Sequence, residues 1–545
     1  MLVSDGMTIP ERMFSRTGLF VAWALLVVAL LPVREVTPPD EPRFAHQAQT
    51  MKSSGDWVVP HIGDAKNVDK PPVLFWSVAI ASLPFDRVSA TTSRVPSALA
   101  SLIVLLLVAR MGRRLWGSDA IAYGGALVTL TGIEFFQKAE WCSCDMTLAA
   151  FSWAAITLWS EAAFDDQPRE RPWLRIALGW TAVGFGILTK GPVALLWPLF
   201  WVVAEAIARR RYRPLLRLLL NPGVFVTVAI VGGWLYALGQ RAGWDFVYEA
   251  TIHQNLDRYQ KAWNSVQPWW FFVYQTPADL FWWAGFLPAA IALVIRRGSV
   301  ASRTAGLFAL FGICFFSTSS GKRGVYVMEA FPAISLLMTA AVLQEGFGTI
   351  GFVVMAVIGL LLGIAAPIAL ASGAFHIPAA LATASGVMGL AGLVIVGLAL
   401  AMGGAYGLTL LRRGRNQPAL ASALAGTFVA LFLAGTVGGT TWSRMQRARP
   451  FCASMDAAAP KGERIAVEGT KFEQFMFYTL RSTDDFDTDE QLVKLLADGR
   501  CRYAILVRQR YDRMRGADPI GSLAILAEGA ISEKDYVLVG PKGRP

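Results

Sequence analysis

Residues 19–44 read LFVAWALLVVALLPVREVTPPDEPRF, an apolar stretch that runs without a break into a proline-rich, charged one. Leu19 to Val33 is close to the length needed to cross a hydrocarbon core of roughly 30 Å. It follows Arg12 and Arg16, and no small-residue cleavage site comes after it, only Arg34-Glu35-Val36-Thr37-Pro38. It therefore reads as a retained first span, not a removed signal.

Working outward, the same apolar signature recurs along the 545-residue chain, which is 54% hydrophobic and only 16% charged. Spans are expected near 18–33, 95–109, 119–133, 145–164, 174–188, 191–208, 218–239, 278–295, 304–318, 325–343, 347–371, 382–411 and 419–439, about thirteen segments each near the ~20 residues of a crossing helix. This composition excludes a soluble globular protein. The fold class expected is mainly α and polytopic.

Arginine clusters at 110–114, 169–175, 209–213, 296–303 and 412–415 fall in alternate loops. The positive-inside rule places those loops, and the N-terminus, in the cytoplasm and the C-terminus outside. The formal net charge of +11 is then largely a topology signal and gives no reason to expect nucleic acid as a partner. Residues 1–440 form the transmembrane part on this reading, with outer loops at about 34–94 and about 240–277. From 441 to 545 the composition shifts to mixed charge, with β-type runs at Arg464–Val467, Tyr503–Val507 and Tyr536–Val539. That tail reads as a small outer α/β domain. Cys452 and Cys501 both lie in it, where an oxidising compartment allows a disulfide. Cys142 and Cys144 read as packing residues. The four histidines, His46, His61, His253 and His376, all fall on the outer side but show no recurring ligand spacing, so a bound metal stays undetermined and no cofactor is required.

Basic residues on the outer side violate the positive-inside rule and need another reason to be there. Lys66, Arg258 and Lys261 read as solvated loop residues. Arg43, Lys138 and Arg323 break the rule as well. Lys70, Lys190 and Lys322 abut apolar spans, where an unpaired cation costs on the order of 2.5–3.5 kcal/mol. An anionic lipid headgroup would be a suitable partner, with Arg forking onto two phosphate oxygens and Lys acting as a point charge. The first outer loop concentrates the chemistry in Asp40-Glu41-Pro42-Arg43, Gly55-Asp56-Trp57 and Asp69-Lys70-Pro71-Pro72. Asp40 and Glu41 either reach a ligand at the membrane surface or cap a helix that Pro42 opens. The apolar run from Lys70-Pro71-Pro72 to Phe85 is too short for a span and fits an interfacial or re-entrant helix. Trp269-Trp270-Phe271-Phe272 and Trp282-Trp283 read first as an interfacial aromatic belt.

Asp40-Glu41-x-Arg43, Gly55-Asp56-Trp57, Lys70-Pro71-Pro72-x-x-x-Trp76, Asp145, Thr189-Lys190-Gly191-Pro192 and Ser319-x-x-Lys322 with Tyr326 together resemble membrane glycosyltransferases of the GT-C fold. Within that group the chain is most similar to the aminoarabinose transferases of lipid A, and the resemblance runs along essentially its whole length. It implies a periplasm-facing active site in a multi-pass protein of the bacterial inner membrane. There 4-amino-4-deoxy-L-arabinose would pass from undecaprenyl phosphate to a lipid A phosphate, giving resistance to polymyxin and other cationic peptides. It further implies Asp40, Asp145 and Glu41 as catalytic candidates, and Arg43, Lys70, Tyr326, Lys190 and Lys322 as donor-phosphate ligands. The pattern departs at Tyr326, after which Val327 to Phe331 intervene before Pro332. Partners on this reading are the undecaprenyl phosphate-linked sugar, lipid A and membrane lipid. A polyprenyl-phosphate-sugar-dependent protein mannosyl- or glycosyltransferase is the alternative within enzymes. A lipid flippase or secondary transporter is the alternative outside them, but no internal repeat supports it.

Overall fold

The computed structural model describes residues 9–67, 69–166, 170–251, 265–365, 367–368, 372, 384–446, 448–469, 472–516, 518–531 and 534–541. His253, Arg258, Lys261 and His376 lie outside the described residues. Each expected apolar segment carries a helix over its described part. Among the described residues, seven helices are long and apolar enough to cross a membrane, and Arg16–Leu30, Asp119–Leu130 and Thr349–Ala365 are shorter apolar helices. The chain is an integral membrane protein.

Between the first span and the helix Ala90–Trp116, the loop folds into two short helices. The first, α1 (Asp40–Ser54), has Asp40 and Glu41 in its opening turn and ends at Gly55, whose φ of 73° is left-handed. Acids at the start suit the helix dipole, Pro42 loses no hydrogen bond in the first turn, and glycine meets no Cβ penalty at the left-handed cap. The second, α2 (Val73–Ala81), starts directly after Pro71-Pro72 and is nine residues long, matching the short helix expected there. Beyond the 90–130 helices come α3 (Ile133–Ala139) and α4 (Cys144–Phe164). The later helix α5 (Phe271–Leu280) opens a span that continues to Arg297.

The C-terminal segment is a five-stranded sheet with helices against it. Its strands, with the helix that docks, are in chain order β1 (Ile465–Glu468), α6 (Phe472–Thr479), β2 (Thr483–Phe486), β3 (Tyr503–Val507), β4 (Leu523–Ile531) and β5 (Lys534–Pro541), and further helices run over Ala448–Ala458, Asp489–Ala497 and Arg508–Met514. The strand order is β2-β1-β3-β5-β4, parallel at β2-β1-β3 and antiparallel from β3 onward. Strand side chains alternate between faces. Ile465, Val467, Tyr503 and Ile505 join one core with Cys452, whereas Ala466, Ala504 and Leu506 join another with Cys501. The sheet thus stands between the two cysteines. Both are buried free thiols, and the disulfide that the compartment argument allows is not formed.

One buried network ties these parts together. Glu41 is fully buried, and its carboxylate accepts from Arg94 Nε at 2.9 Å and Nη2 at 3.0 Å, and from Arg34 Nη1 at 2.6 Å and Nη2 at 3.2 Å. The amides of Thr37 at 2.9 Å and Cys142 at 3.0 Å also donate to it. Burial alone would raise its pKa, but Arg94 and Arg34 hold it below the ordinary value. Arg94, itself fully buried, donates in addition to the carbonyls of Leu31, Arg34 and Glu35. The end of the first span, α1, the 90–116 helix and the turn before α4 are thereby fixed to one carboxylate.

The C-terminal segment docks on the same loop. Phe477 of α6 enters a core with Phe44, Ala48 and Phe75, Tyr478 donates its hydroxyl to Glu35, and Arg87 donates to the Phe477 carbonyl at 2.7 Å.

Glu41→Ala leaves Arg94 as an uncompensated buried cation and is expected to cost about 3–5 kcal/mol. Arg113→Ala breaks the exposed pair with Asp119 and the 3.0 Å hydrogen bond to the Tyr123 hydroxyl, and is expected to cost only about 1–2 kcal/mol. Thermal unfolding of the purified protein in detergent, followed by tryptophan fluorescence, checks the contrast; equal midpoints for the two variants would contradict it.

Candidate active site

Asp40 is adjacent in sequence to the buried Glu41, yet its side chain turns to the open side of α1, where it is 31% exposed. Arg43, one turn on, donates to Asp40 at 2.7 Å, and its other terminal nitrogen lies 3.0 Å from Asp69. Lys70 is 2.7 Å from the second oxygen of Asp69. An alternating chain of charges results: Asp40, Arg43, Asp69, Lys70. The loop carrying Asp69 is fastened to α1 through Asn67, which donates to Gln47 at 2.8 Å and accepts from the Asp69 amide at 3.2 Å. The Arg43 Nε is buried with no hydrogen bond. Arg323 approaches Asp40 from the opposite wall at 3.8 Å.

A second group lies at the start of α4. Asp145 pairs closely with Lys190 and stands 3.8 Å from Lys138. Lys190 lies 5.3 Å from the centre of the Tyr326 ring, which itself packs 5.9 Å from Phe316. Arg323 is within electrostatic reach of Asp145 as well as Asp40, and Cys144 is within reach of Lys70, Asp69 and Lys190. The two groups are therefore walls of one charged site.

Of the residues named from sequence, Asp40, Arg43, Lys70, Asp145, Lys190 and Tyr326 come together here. Glu41 does not: its two oxygens are filled by two arginines and two amides, which leaves it no access to a ligand. Lys322 does not either. Its ammonium donates to the carbonyls of Gln267, at 2.9 Å, and Ser319, while its amide donates to the Ser265 carbonyl at 2.9 Å. It clasps residues 265–267 to the 319–322 turn. The exposed Arg323 beside it faces the site instead. Sequence marks Asp69 only as the neighbour of Lys70; its bridging role appears once Arg43 is brought against it.

A further acid comes from the C-terminal segment. Glu473, in the first turn of α6, is within electrostatic reach of Arg43, Asp40 and Asp485. Burial pushes its carboxyl up to about 7, with Arg43 opposing and Asp40 and Asp485 adding to the push. Nothing local marks it in sequence, because Arg43 and Asp40 lie over 400 residues earlier. His46 is neutral at physiological pH, since burial lowers its pKa to about 4, and its Nε2 accepts from the Gly63 amide at 3.3 Å.

Comparison with solved structures identifies the architecture. The crystal structure of ArnT from Cupriavidus metallidurans bound to undecaprenyl phosphate superposes with a TM-score of 0.82 at 22% identity, covering 97% of this chain and 100% of that one. The chain has the ArnT fold. The apo form of the same protein gives a TM-score of 0.80 at 21% identity, covering 98% and 99%. A model of the dolichyl-phosphate-mannose-protein mannosyltransferase family matches residues 13–240. Among curated relatives, the undecaprenyl phosphate-alpha-4-amino-4-deoxy-L-arabinose arabinosyl transferase of Pseudomonas aeruginosa (strain LESB58) is 29% identical over 341 residues, 60% of this chain and 59% of its own. The arabinosyl transferase 1 of Pseudomonas fluorescens (strain Pf0-1) is 28% identical over 335 residues, 60% and 57%. The chain thus spans somewhat under three fifths of the length of the relatives it matches. The GT-C architecture expected from the motifs is the ArnT fold seen here.

Glu473 binds more protons in the folded chain than in the unfolded one between its ordinary value of 4.5 and about 7. Its contribution to stability is complete below 4.5 and is lost as pH rises through 7. Between pH 5 and pH 8 the melting temperature of Glu473→Gln is therefore expected to fall less than that of the parent. Parallel curves for the two proteins would show that Glu473 titrates normally.

Proposed function

We propose that this chain transfers 4-amino-4-deoxy-L-arabinose from undecaprenyl phosphate to a phosphate of lipid A, at the periplasmic face of the bacterial inner membrane. The N-terminus then lies in the cytoplasm, with residues 441–545 and the charged site outside. The observation that carries the reading is Arg43 and Lys70 held on either side of Asp69 in a part-open site of the ArnT fold. The solved example of the fold from Cupriavidus metallidurans is bound to undecaprenyl phosphate. The curated relatives are named for aminoarabinose transfer.

The chemistry follows from the charges. An oxygen of the acceptor phosphate attacks the anomeric carbon, and the bond from that carbon to the undecaprenyl phosphate oxygen breaks. The pair of electrons leaves with the phosphate, which gains negative charge in the transition state. Arg43 and Lys70 stabilise that charge more strongly than they stabilise the ground state, which lowers the barrier. Their present partner, Asp69, is a carboxylate that a phosphate can replace. A lipid A phosphate is already anionic near neutral pH, so no strong base is needed, and Asp40 orients the reacting groups. Lys190, fixed by Asp145 and the Tyr326 ring, supplies a further positive charge on the far wall. None of these steps calls for a metal.

The match of residues 13–240 to the protein mannosyltransferase family favours the second reading, transfer of a neutral sugar to a protein hydroxyl. A hydroxyl acceptor would need deprotonation, and Asp40 would then be the base.

Expression in a host that makes the aminoarabinose donor but lacks its own transferase separates the two. Mass spectrometry of lipid A is expected to show the added aminopentose with the parent and its loss with a stably expressed Asp40→Ala variant. Unmodified lipid A from a well-folded parent would overturn the proposal.

A further inference from the structure

Arg43 and Lys70 make one end of the site cationic. Another end is acidic, with Lys138 within electrostatic reach of both its carboxyls. There α3, α5 and the turn Gly324–Ala330 meet. Asp279 of α5 is 7% exposed; its Oδ1 accepts from Gln275 at 2.6 Å, and its Oδ2 is buried without a hydrogen bond. A Cβ at Gly324 would stand 2.7 Å from that Oδ2, so the backbone beside Arg323 comes directly against the carboxylate. Glu134 of α3 is within electrostatic reach of Asp279, and burial pushes its carboxyl up to about 7 against the pull of Lys138. The two nearby cations are engaged elsewhere: Lys138 lies by Asp145 and over the Trp141 ring, and Arg323 lies by Asp40.

A buried carboxylate oxygen without a donor, as at Asp279, is costly, and a second carboxyl nearby repels it as both ionise. A cation placed between them removes both penalties. We infer that Glu134 and Asp279 form the subsite for the ammonium group of the transferred sugar, with the Arg43–Lys70 end taking its phosphate. This deepens the proposed function and rests on it. A donor that is zwitterionic, with a phosphodiester at one end of the sugar and an amine at the other, matches a bipolar site. A neutral hexose or pentose leaves the carboxyls unpaired, and sites built to hold a polar group reject analogues lacking it more strongly than apolar pockets reject a missing methylene.

The test uses the full chain reconstituted with lipid A and two donors: undecaprenyl phosphate-aminoarabinose and its counterpart with a hydroxyl in place of the amine. The parent is expected to prefer the amino donor. Asp279→Asn and Glu134→Gln should each raise KM for that donor by about tenfold or more, change kcat much less, and narrow the preference over the hydroxyl donor. Binding of undecaprenyl phosphate itself should stay at the parent value, which also reports that the variants are folded. Should Asp279→Asn fail to fold, Glu134→Gln, which keeps shape and removes charge, decides the matter. A KM rise that is equal for both donors, or an unchanged preference, overturns the subsite while leaving aminoarabinose transfer intact. A parent that uses the hydroxyl donor as well as the amino donor overturns the subsite too, and a parent that uses neither overturns the proposed function along with it.

Discussion

The site depends on the carboxylate of Glu41. Four guanidinium contacts and two amides converge on it in a fully buried position, and each donor comes from a part of the chain that has to be placed. Arg34 sets the exit of the first span, Arg94 the following long helix, and Cys142 the turn that leads to Asp145. An ion pair of this kind contributes little net stability over an apolar replacement, but losing one partner is expensive. Its effect is to fix geometry: with Glu41 turned inward, its neighbour Asp40 is turned outward and brings Arg43 with it on the same face of α1.

On that frame the working charges alternate in sign. Asp40, Arg43, Asp69 and Lys70 neutralise one another, so neither cation bears the full cost of isolation. On the proposed function, an incoming phosphate would exchange for Asp69 without building a new cation cluster. The far wall repeats the arrangement with Asp145 and Lys190. The C-terminal segment is part of the same electrostatic unit, because α6 both seats Phe477 in the loop core and brings Glu473 near Arg43. The sheet behind α6 holds that helix against the loop, so the domain helps build the site as well as cover it.

Much of this was readable from sequence, for physical reasons. Long apolar runs and the alternation of arginine clusters are composition signals that survive without knowledge of contacts, and they located the helices. The outward cations flagged Arg43, Lys70 and Lys190 because a charge at the edge of an apolar segment needs a partner. Side-chain direction was not readable. Asp40 and Glu41 are adjacent acids in one helical turn, and only the position of Arg94, more than 50 residues away, decides which one is buried. Lys322 and Arg323 pose the same problem, and there the carbonyls of Ser319 and Gln267 capture the lysine. Asp279 sits in a segment that reads as the start of an apolar span, and Glu473 depends on docking of a distant helix. Cys452 and Cys501 share a compartment on the sequence reading, but strand alternation puts them on opposite faces of the sheet.

The central claim is that Arg43 and Lys70 hold the phosphate of the polyprenyl donor. Its most direct test is equilibrium binding of undecaprenyl phosphate to the purified protein, compared among the parent, Arg43→Ala, Lys70→Met and Lys322→Met. The account predicts that the first two lose affinity by about tenfold or more, as expected for the loss of a charge-assisted contact. Lys322→Met, which releases only a loop clasp, is predicted to bind as the parent does. Parent-like affinity in Arg43→Ala and Lys70→Met would contradict the account and place the phosphate elsewhere.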